Sequence, residues 1–289
     1  MLPGIWSPPT SPPDQAHPTR KNMASRKTQK EAARERRIAE ERAAAEKAQR
    51  TRRIQMLSGV VAIVVIVVVV VIVVSSGGGG SSKTVKANSS KAKSAVASIN
   101  TLLKGIPQSG TTLGKSSAPV TVTEYGDLEC PICRDFALGA ENTLITKDVR
   151  TGKVKLVYKS FPTATANGPD PSVFPTQQAA AYAAGAQNLG WNYIETFYHE
   201  QGTEDTSYVT AAYLTGLAKQ IPGLKLKTWS EDRFNPAYES QVSKEERQAQ
   251  SLGIDATPGF VVSSAKSQTK ATTGLLTYSE LQKLIKQVS

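Results

Sequence analysis

Hydrophobic and polar positions are unevenly spread along the chain, and the pattern divides it into regions. Positions 26–53 are mostly Ala, Glu, Lys, Arg and Gln, with almost no large apolar residue. Good helix formers with Glu/Arg neighbours and no face to bury predict a solvated helix. Positions 57–74 are an almost unbroken run of Val and Ile without a charge. At ~1.5 Å per residue such a run reaches about 27 Å against a hydrocarbon core of about 30 Å, which predicts a transmembrane helix. The stretch 75–82 reads SSGGGGSS, and a Lys/Ser/Ala-rich run follows to 93, together predicting a flexible tether. Positions 94–103 predict a short amphipathic helix leading out of it.

Beyond the tether, the period of the pattern changes. Alternation over 120–125 (VTVTEY) predicts a short buried strand, and KVKLVY over 153–158 a second. Between them, Phe136, Ala140, Leu144 and Val149 recur at near-helical spacing within 134–149. Nearly a hundred residues with little strand pattern come next. Helices are predicted over 177–189, 191–200, 208–220, 224–232 and 237–252, separated by Gly and Pro breakers. Short strands return at 260–262 and 270–273, and a helix closes the chain over 279–288 behind a Thr277 or Ser279 cap.

Charge changes the reading of the ends more than that of the middle. The net charge is +11, but residues 1–56 hold 13 Lys/Arg against 6 Asp/Glu, whereas residues 57–289 hold 22 against 18. The basic excess therefore belongs largely to the tail ahead of the apolar run. Such an excess, including Arg50, Arg52 and Arg53, is a topology signal that keeps the N-terminus cytoplasmic. Nucleic-acid binding by the basic stretch is the competing reading and is not favoured. The Pro-rich 2–17 cannot form a core and predicts disorder, and Met23 competes with Met1 as the initiator. The apolar run exceeds the ~7–15 residues of a secretory signal core, and no small-residue cleavage site follows it. An uncleaved single-pass anchor in the cell membrane, with everything after 74 extracytoplasmic, is the expectation.

The chemistry gathers at Cys130-Pro131-Ile132-Cys133, which contains the protein's only two cysteines. Strand, turn and C-x-x-C opening a helix place the first cysteine at a helix N-terminus. There, unpaired N–H groups and the helix dipole favour the thiolate, the nucleophilic form. Cys130 is thus assigned the attacking role, and Cys133, one turn in, the resolving role. Half of a structural zinc site is an alternative, but zinc needs four ligands. The only histidines are His17 and His199, with the predicted span between them. A merely structural disulfide is the other alternative, and its short loop adds little constraint to the unfolded chain. No nucleotide, flavin or metal motif is visible, so no cofactor is expected.

Gly126-Asp-Leu-Glu-Cys-Pro-Ile-Cys133 after a strand, joined to Ala256-Thr257-Pro258-Gly259-Phe260 before another, resembles the DsbA-like branch of the thioredoxin superfamily. The lead-in Gly105 to Gly110, Leu113-Gly114 and Ala118-Pro119-Val120 is similar to that of membrane-anchored bacterial members. The resemblance spans roughly 105–289. It implies an α/β thioredoxin-like fold with an inserted helical domain at about 175–253, preceded by the single transmembrane helix and the basic tail. The domain plan becomes 1–56 cytoplasmic tail, 57–74 span, 75–104 linker and 105–289 redox domain. The resemblance also implies a cis peptide between Thr257 and Pro258 opposite the cysteines, with Thr257 binding the extended substrate. An ordinary turn proline is the plainer reading of Pro258. One departure stands out: Ile132 occupies the position where the best-known strong oxidant of the family carries histidine, and its side chain cannot donate a hydrogen bond or a positive charge to the thiolate.

The other polar candidates rest on less. Glu124, on the strand leading to the motif, is expected to lie beneath the cysteines and move protons, with Lys159 as its partner. Both also read as solvated strand-edge charges. Asp127 and Glu129 would raise the Cys130 pKa if close, or Asp127 would cap the turn. His199 has no partner in the sequence, and Trp191 and Tyr193 read as core. The activity implied is protein disulfide oxidoreduction: reduced exported proteins as substrates, and re-oxidation by a membrane partner of the DsbB type or the vitamin K epoxide reductase-like type. Isomerase, reductase and non-catalytic binding-module readings stay open.

Overall fold

The computed structural model describes residues 89–289. The predicted tail and span, and most of the tether, lie outside the described residues. Among the described residues, no helix is long and apolar enough to cross a membrane.

Helix α1, Ser90–Leu103, starts four residues earlier than its amphipathic pattern predicts. Ser89 caps it by accepting from the Ala92 N–H at 3.1 Å, and Ala92, Ala95, Ile99 and Leu103 supply one buried face. A serine cap followed by small residues at helical spacing reads as tether when only composition is weighed.

A six-stranded sheet runs in the order β1-β2-β4-β3-β5-β6. Its centre is β3 (Val120–Gly126), parallel to β4 (Val154–Ser160) and antiparallel to β5 (Gly259–Ser264). The two-residue strands β1 (Gln108–Ser109) and β2 (Thr112–Leu113) form a hairpin on the outer edge of β4. That hairpin has no readable hydrophobic alternation and is not predicted by the pattern. β6, Thr272–Thr273, closes the other edge.

The β3–β4 crossover is the helix that begins as α2, Pro131–Phe136. It continues through a π-helical turn at Ala137–Glu141, the short Asn142–Leu144 piece and a second π turn at Ile145–Val149. Phe136 meets Phe260 of β5 edge-on, with ring centroids 4.6 Å apart, so the helix is pinned across the sheet centre.

The inserted layer follows β4. After the short α3 (Ala164–Asn167) come α4 (Val173–Gly185), α5 (Gly190–Glu200), α6 (Ala211–Ala218), α7 (Leu226–Asp232) and α8 (Pro236–Ser251). From α4 to α8 this run spans Val173 to Ser251. Trp191 and Tyr193 are fully buried, and the Trp191 indole donates to the Thr111 carbonyl at 2.9 Å, holding the edge hairpin. Glu245 of α8 accepts from the backbone and side chain of Ser160 at 2.8 Å each, and from Tyr182 of α4 at 2.5 Å. One buried carboxylate thereby ties the insert to the end of β4. The closing helix α9, Tyr278–Val288, is capped by Thr277 in a reciprocal box with Glu280. Of the two expected caps, Thr277 is the one used.

Candidate active site

β3 ends at Gly126, and a four-residue turn delivers Cys130 to the N-cap of α2, with Pro131 as the first helical residue. Proline suits that position because its missing N–H would have had no helical partner. The turn is built on Asp127, which is fully buried. Its carboxylate accepts from the Glu129 N–H (3.0 Å), the Thr163 N–H (2.9 Å), the Thr165 N–H (2.9 Å) and the Thr165 hydroxyl (2.6 Å). The capping alternative therefore describes Asp127. Gln201, just past α5, donates its side-chain amide to the carbonyls of Leu128 (2.8 Å) and Cys130 (3.0 Å). The motif loop is held from both the sheet side and the insert side.

The Thr257–Pro258 peptide bond is cis. Thr257 faces the motif: the Cys130 thiol donates toward its carbonyl oxygen at 3.5 Å. Its hydroxyl contacts that of Thr163, which joins this loop to the segment Asp127 organises. Both cysteines are free thiols and both are buried, Cys133 completely and Cys130 with 6% of its surface exposed. The side chain of Ile132, by contrast, projects into solvent with 42% exposed.

The two thiols are electrostatically unequal. A hydrogen bond from the Cys133 thiol, against the opposing effect of burial, draws the Cys130 pKa down to about 6. The Thr257 side chain and the backbone N–H groups of Cys133 and Ile132 add to it. Ile132 thus assists through its backbone where its side chain cannot. Burial pushes Cys133 far above the ordinary thiol range, and its interaction with Cys130 and the Glu124 charge push the same way. One sulfur is prepared as a thiolate and the other as a protonated thiol.

Glu124 is buried on the face of β3 that also carries Val120 and Val122. Burial raises its pKa to about 7; an interaction with Glu141 opposes the rise, and the Cys130 charge adds to it. Lys159 does not partner it. In the β3–β4 register Glu124 sits beside Tyr158, while Lys159 sits beside Tyr125. Strand alternation therefore sends Lys159 to the opposite face, where it donates to Gln248 at 2.6 Å. The neighbours of Glu124 are instead two further buried acids, Glu141 in the first π turn and Glu195 on α5. No sequence motif marks either of them; both sit where helical patterns predict ordinary positions. Glu129 is half-buried, and burial, with Asp127 and Asp170 nearby, raises its own pKa to about 7. His199 is half-buried, and burial, with Lys91 and Arg134 nearby, lowers its pKa. Among the described residues, no group of three or more His, Cys, Asp or Glu could hold a metal ion.

Comparison with known proteins fits this geometry. A thioredoxin family model matches residues 108–287, more than half of the chain. Disulfide bond formation protein D of Bacillus subtilis is 29% identical over 160 residues, 55% of this chain and 68% of that protein. A probable disulfide bond formation protein D of Bacillus cereus is 27% identical over 151 residues, 52% of this chain and 68% of that protein. Among solved structures, oxidised BdbD from Bacillus subtilis has a TM-score of 0.52 at 24% identity, covering 63% of this chain and 97% of that one. DsbA2 from Pseudomonas aeruginosa has a TM-score of 0.50 at 20% identity, covering 64% of this chain and 97% of that one. The two structural likenesses speak for the fold. The family model places this chain in the thioredoxin family, and its relatedness to disulfide bond formation proteins makes it an enzyme of thiol–disulfide exchange.

Proposed function

We propose that the protein is an extracytoplasmic oxidase that donates the Cys130–Cys133 disulfide to exported proteins. The observation that carries this reading is the inequality of the two sulfurs: Cys130 at a helix N-cap with its pKa drawn down to about 6, Cys133 buried and pushed up. A substrate thiolate attacks Cys130 Sγ of the oxidised pair, and the S–S bond breaks as Cys133 departs and takes up a proton. A second substrate thiolate then attacks the substrate sulfur of the mixed disulfide and releases Cys130 as a thiolate. Two electrons pass from substrate to enzyme, the substrate gains one disulfide, and the enzyme is left as a dithiol. A low-pKa sulfur leaves readily, and stabilising the reduced form makes the disulfide more oxidising. Thr257, ahead of cis Pro258, offers backbone to an extended substrate, and Glu124 relays the proton associated with Cys133. Pro131 and Ile132 set the pair, and the exposed Ile132 meets the incoming chain. Re-oxidation falls to a membrane partner of the quinone-linked DsbB type or the vitamin K epoxide reductase-like type. The 57–74 run anchors the enzyme, with its basic N-terminus cytoplasmic; charge and hydropathy support this placement.

Equilibrating the full-length protein with glutathione buffers, then trapping thiols and reading masses, tests the direction of electron flow. A potential around −120 to −180 mV supports disulfide donation. A value near −270 mV sinks the oxidase reading in favour of a reductase.

A further inference from the structure

Beside the redox pair lies a cavity of about 140 Å³ that the mechanism above does not use. Its wall includes Glu129, Thr165, Asp170, Thr206, Ser207 and Thr210. Among the described residues that line it there is no lysine, arginine or histidine. Two carboxyl groups therefore line a partly open space that offers them no cation, whereas the hydroxyls of Thr165, Thr206 and Thr210 are already engaged with Asp127, the Thr203 carbonyl and the Tyr213 N–H. We infer that this cavity is a substrate subsite that takes the basic side chain, lysine or arginine, of a residue close to the reacting cysteine of the substrate.

Position supports the assignment. Glu129 immediately precedes Cys130, so one wall of the cavity is the residue joined to the nucleophile, with Cα atoms ~3.8 Å apart. On the opposite flank of the site, the Thr257 hydroxyl contacts Thr163, two residues along the chain from Thr165 of the cavity wall. Asp127 binds the N–H groups of Glu129, Thr163 and Thr165, so cavity wall and redox loop are one rigid unit. A chain lying against Thr257 with its sulfur at Cys130 carries its neighbouring side chains past this opening.

Size and charge agree with a basic occupant. A cavity of about 150 Å³ holds a benzene-sized group, so about 140 Å³ admits a guanidinium or an ammonium with its last methylenes. Asp170 has one oxygen committed to Ser172, which donates to Oδ1 from both its backbone (3.2 Å) and its hydroxyl (2.5 Å). Glu129 accepts a long 3.5 Å contact from Gln177, and the Thr165 side chain also favours its charged form. The raised pKa of Glu129 follows from burial and its acidic neighbours, which is the environment an incoming cation relieves. Charge-assisted hydrogen bonds in a desolvated site are stronger than neutral ones.

This inference rests on the oxidase reading, and one experiment separates the two. The oxidised full-length protein is mixed with single-cysteine-pair peptides that are identical except for Lys, Gln or Glu beside the first cysteine, and its reduction is followed by stopped flow. Each rate is divided by the same peptide's rate with a small aromatic disulfide, which removes the effect of the neighbour on the peptide thiol itself. The expected result is a Lys:Glu ratio of about ten at low salt, with Gln between them, shrinking as salt rises. In Glu129→Gln, and separately in the more exposed Asp170→Asn, the ratio should fall several-fold towards one. Equal normalised rates for the three peptides with the unaltered protein overturn the subsite. So does a ratio that persists undiminished in both variants. Failure of the unaltered protein to be reduced by any peptide or by dithiothreitol instead overturns the oxidase reading itself.

Discussion

Replacing Asp127 with alanine is the most informative perturbation of this site, because one carboxylate ties the motif turn to the 163–165 segment. It accepts four hydrogen bonds, from Glu129, Thr163 and Thr165. Each hydrogen bond to a charged group contributes about 1.5–3 kcal/mol. The four share one acceptor and are not additive, and burial itself raises the Asp127 pKa against their stabilising pull. Leaving a buried donor unsatisfied costs about 1–3 kcal/mol; several donors lost at once, offset by the burial penalty that Asp127 already carries, give an expected loss of about 3 kcal/mol. With a urea slope of about 2 kcal/mol per molar for a domain of this size, 3 kcal/mol lowers the unfolding midpoint by about 1.5 M. Tryptophan fluorescence and circular dichroism against urea measure it. Asp127→Asn is the discriminating companion. It preserves shape but turns an NH₂ towards N–H donors, so it should lose nearly as much as alanine. An asparagine variant as stable as the original protein, or an alanine variant losing less than about 1 kcal/mol, refutes the idea that an ionised Asp127 organises the site.

Two further outcomes follow from the electrostatics. The rate of Cys130 alkylation by iodoacetamide should rise with pH around a midpoint of about 6. In Cys133→Ala that midpoint should move up, because the largest stabiliser of the thiolate is gone, and an unmoved midpoint refutes the assignment. The buried acids give the protein's stability a pH dependence of definite sign. Burial raises Glu124 to about 7 and Glu195 to about 8 in the folded state. The folded protein therefore binds more protons than the unfolded chain between the ordinary glutamate pKa, about 4.3, and these values. Their contribution is fully present below the unfolded pKa and is lost as pH rises through about 7 to 8. Thermal unfolding should give a higher midpoint at pH 5 than at pH 8.5, with the difference reduced in Glu195→Gln. A flat profile is incompatible with the burial argument.

Much of the site was legible because its signals are local. A C-x-x-C with proline second, placed after a β-branched alternation, specifies a helix N-terminus whatever surrounds it, and Thr257-Pro258 ahead of a short apolar strand marks the facing loop. The parts that were not legible depend on which residues meet across the fold. Lys159 reads as a partner for Glu124 until the β3–β4 register places it on the other face. Asp127 reads either as a charge that disturbs the thiolate or as a turn cap until Thr163 and Thr165 arrive as its donors. Glu141 and Glu195 resemble surface helix acids, and only packing brings them under the same strand. The short β1–β2 hairpin and the first turn of α1 were missed because neither carries enough periodicity to stand out.

The sequence by itself determined the thiol–disulfide chemistry and the order of the longer strands and helices. Those properties follow from bonded neighbours, helix termini and periodic burial, all written within a few turns of chain. Only the tertiary structure decided the environment that tunes the chemistry: the carbonyl of Thr257 at 3.5 Å from Cys130, the four donors on Asp127, and the acidic cavity beside the nucleophile. Hydrogen-bond partners and desolvation depend on residues far apart in the chain, such as the 127 positions between Cys130 and Thr257, and no local pattern encodes their meeting.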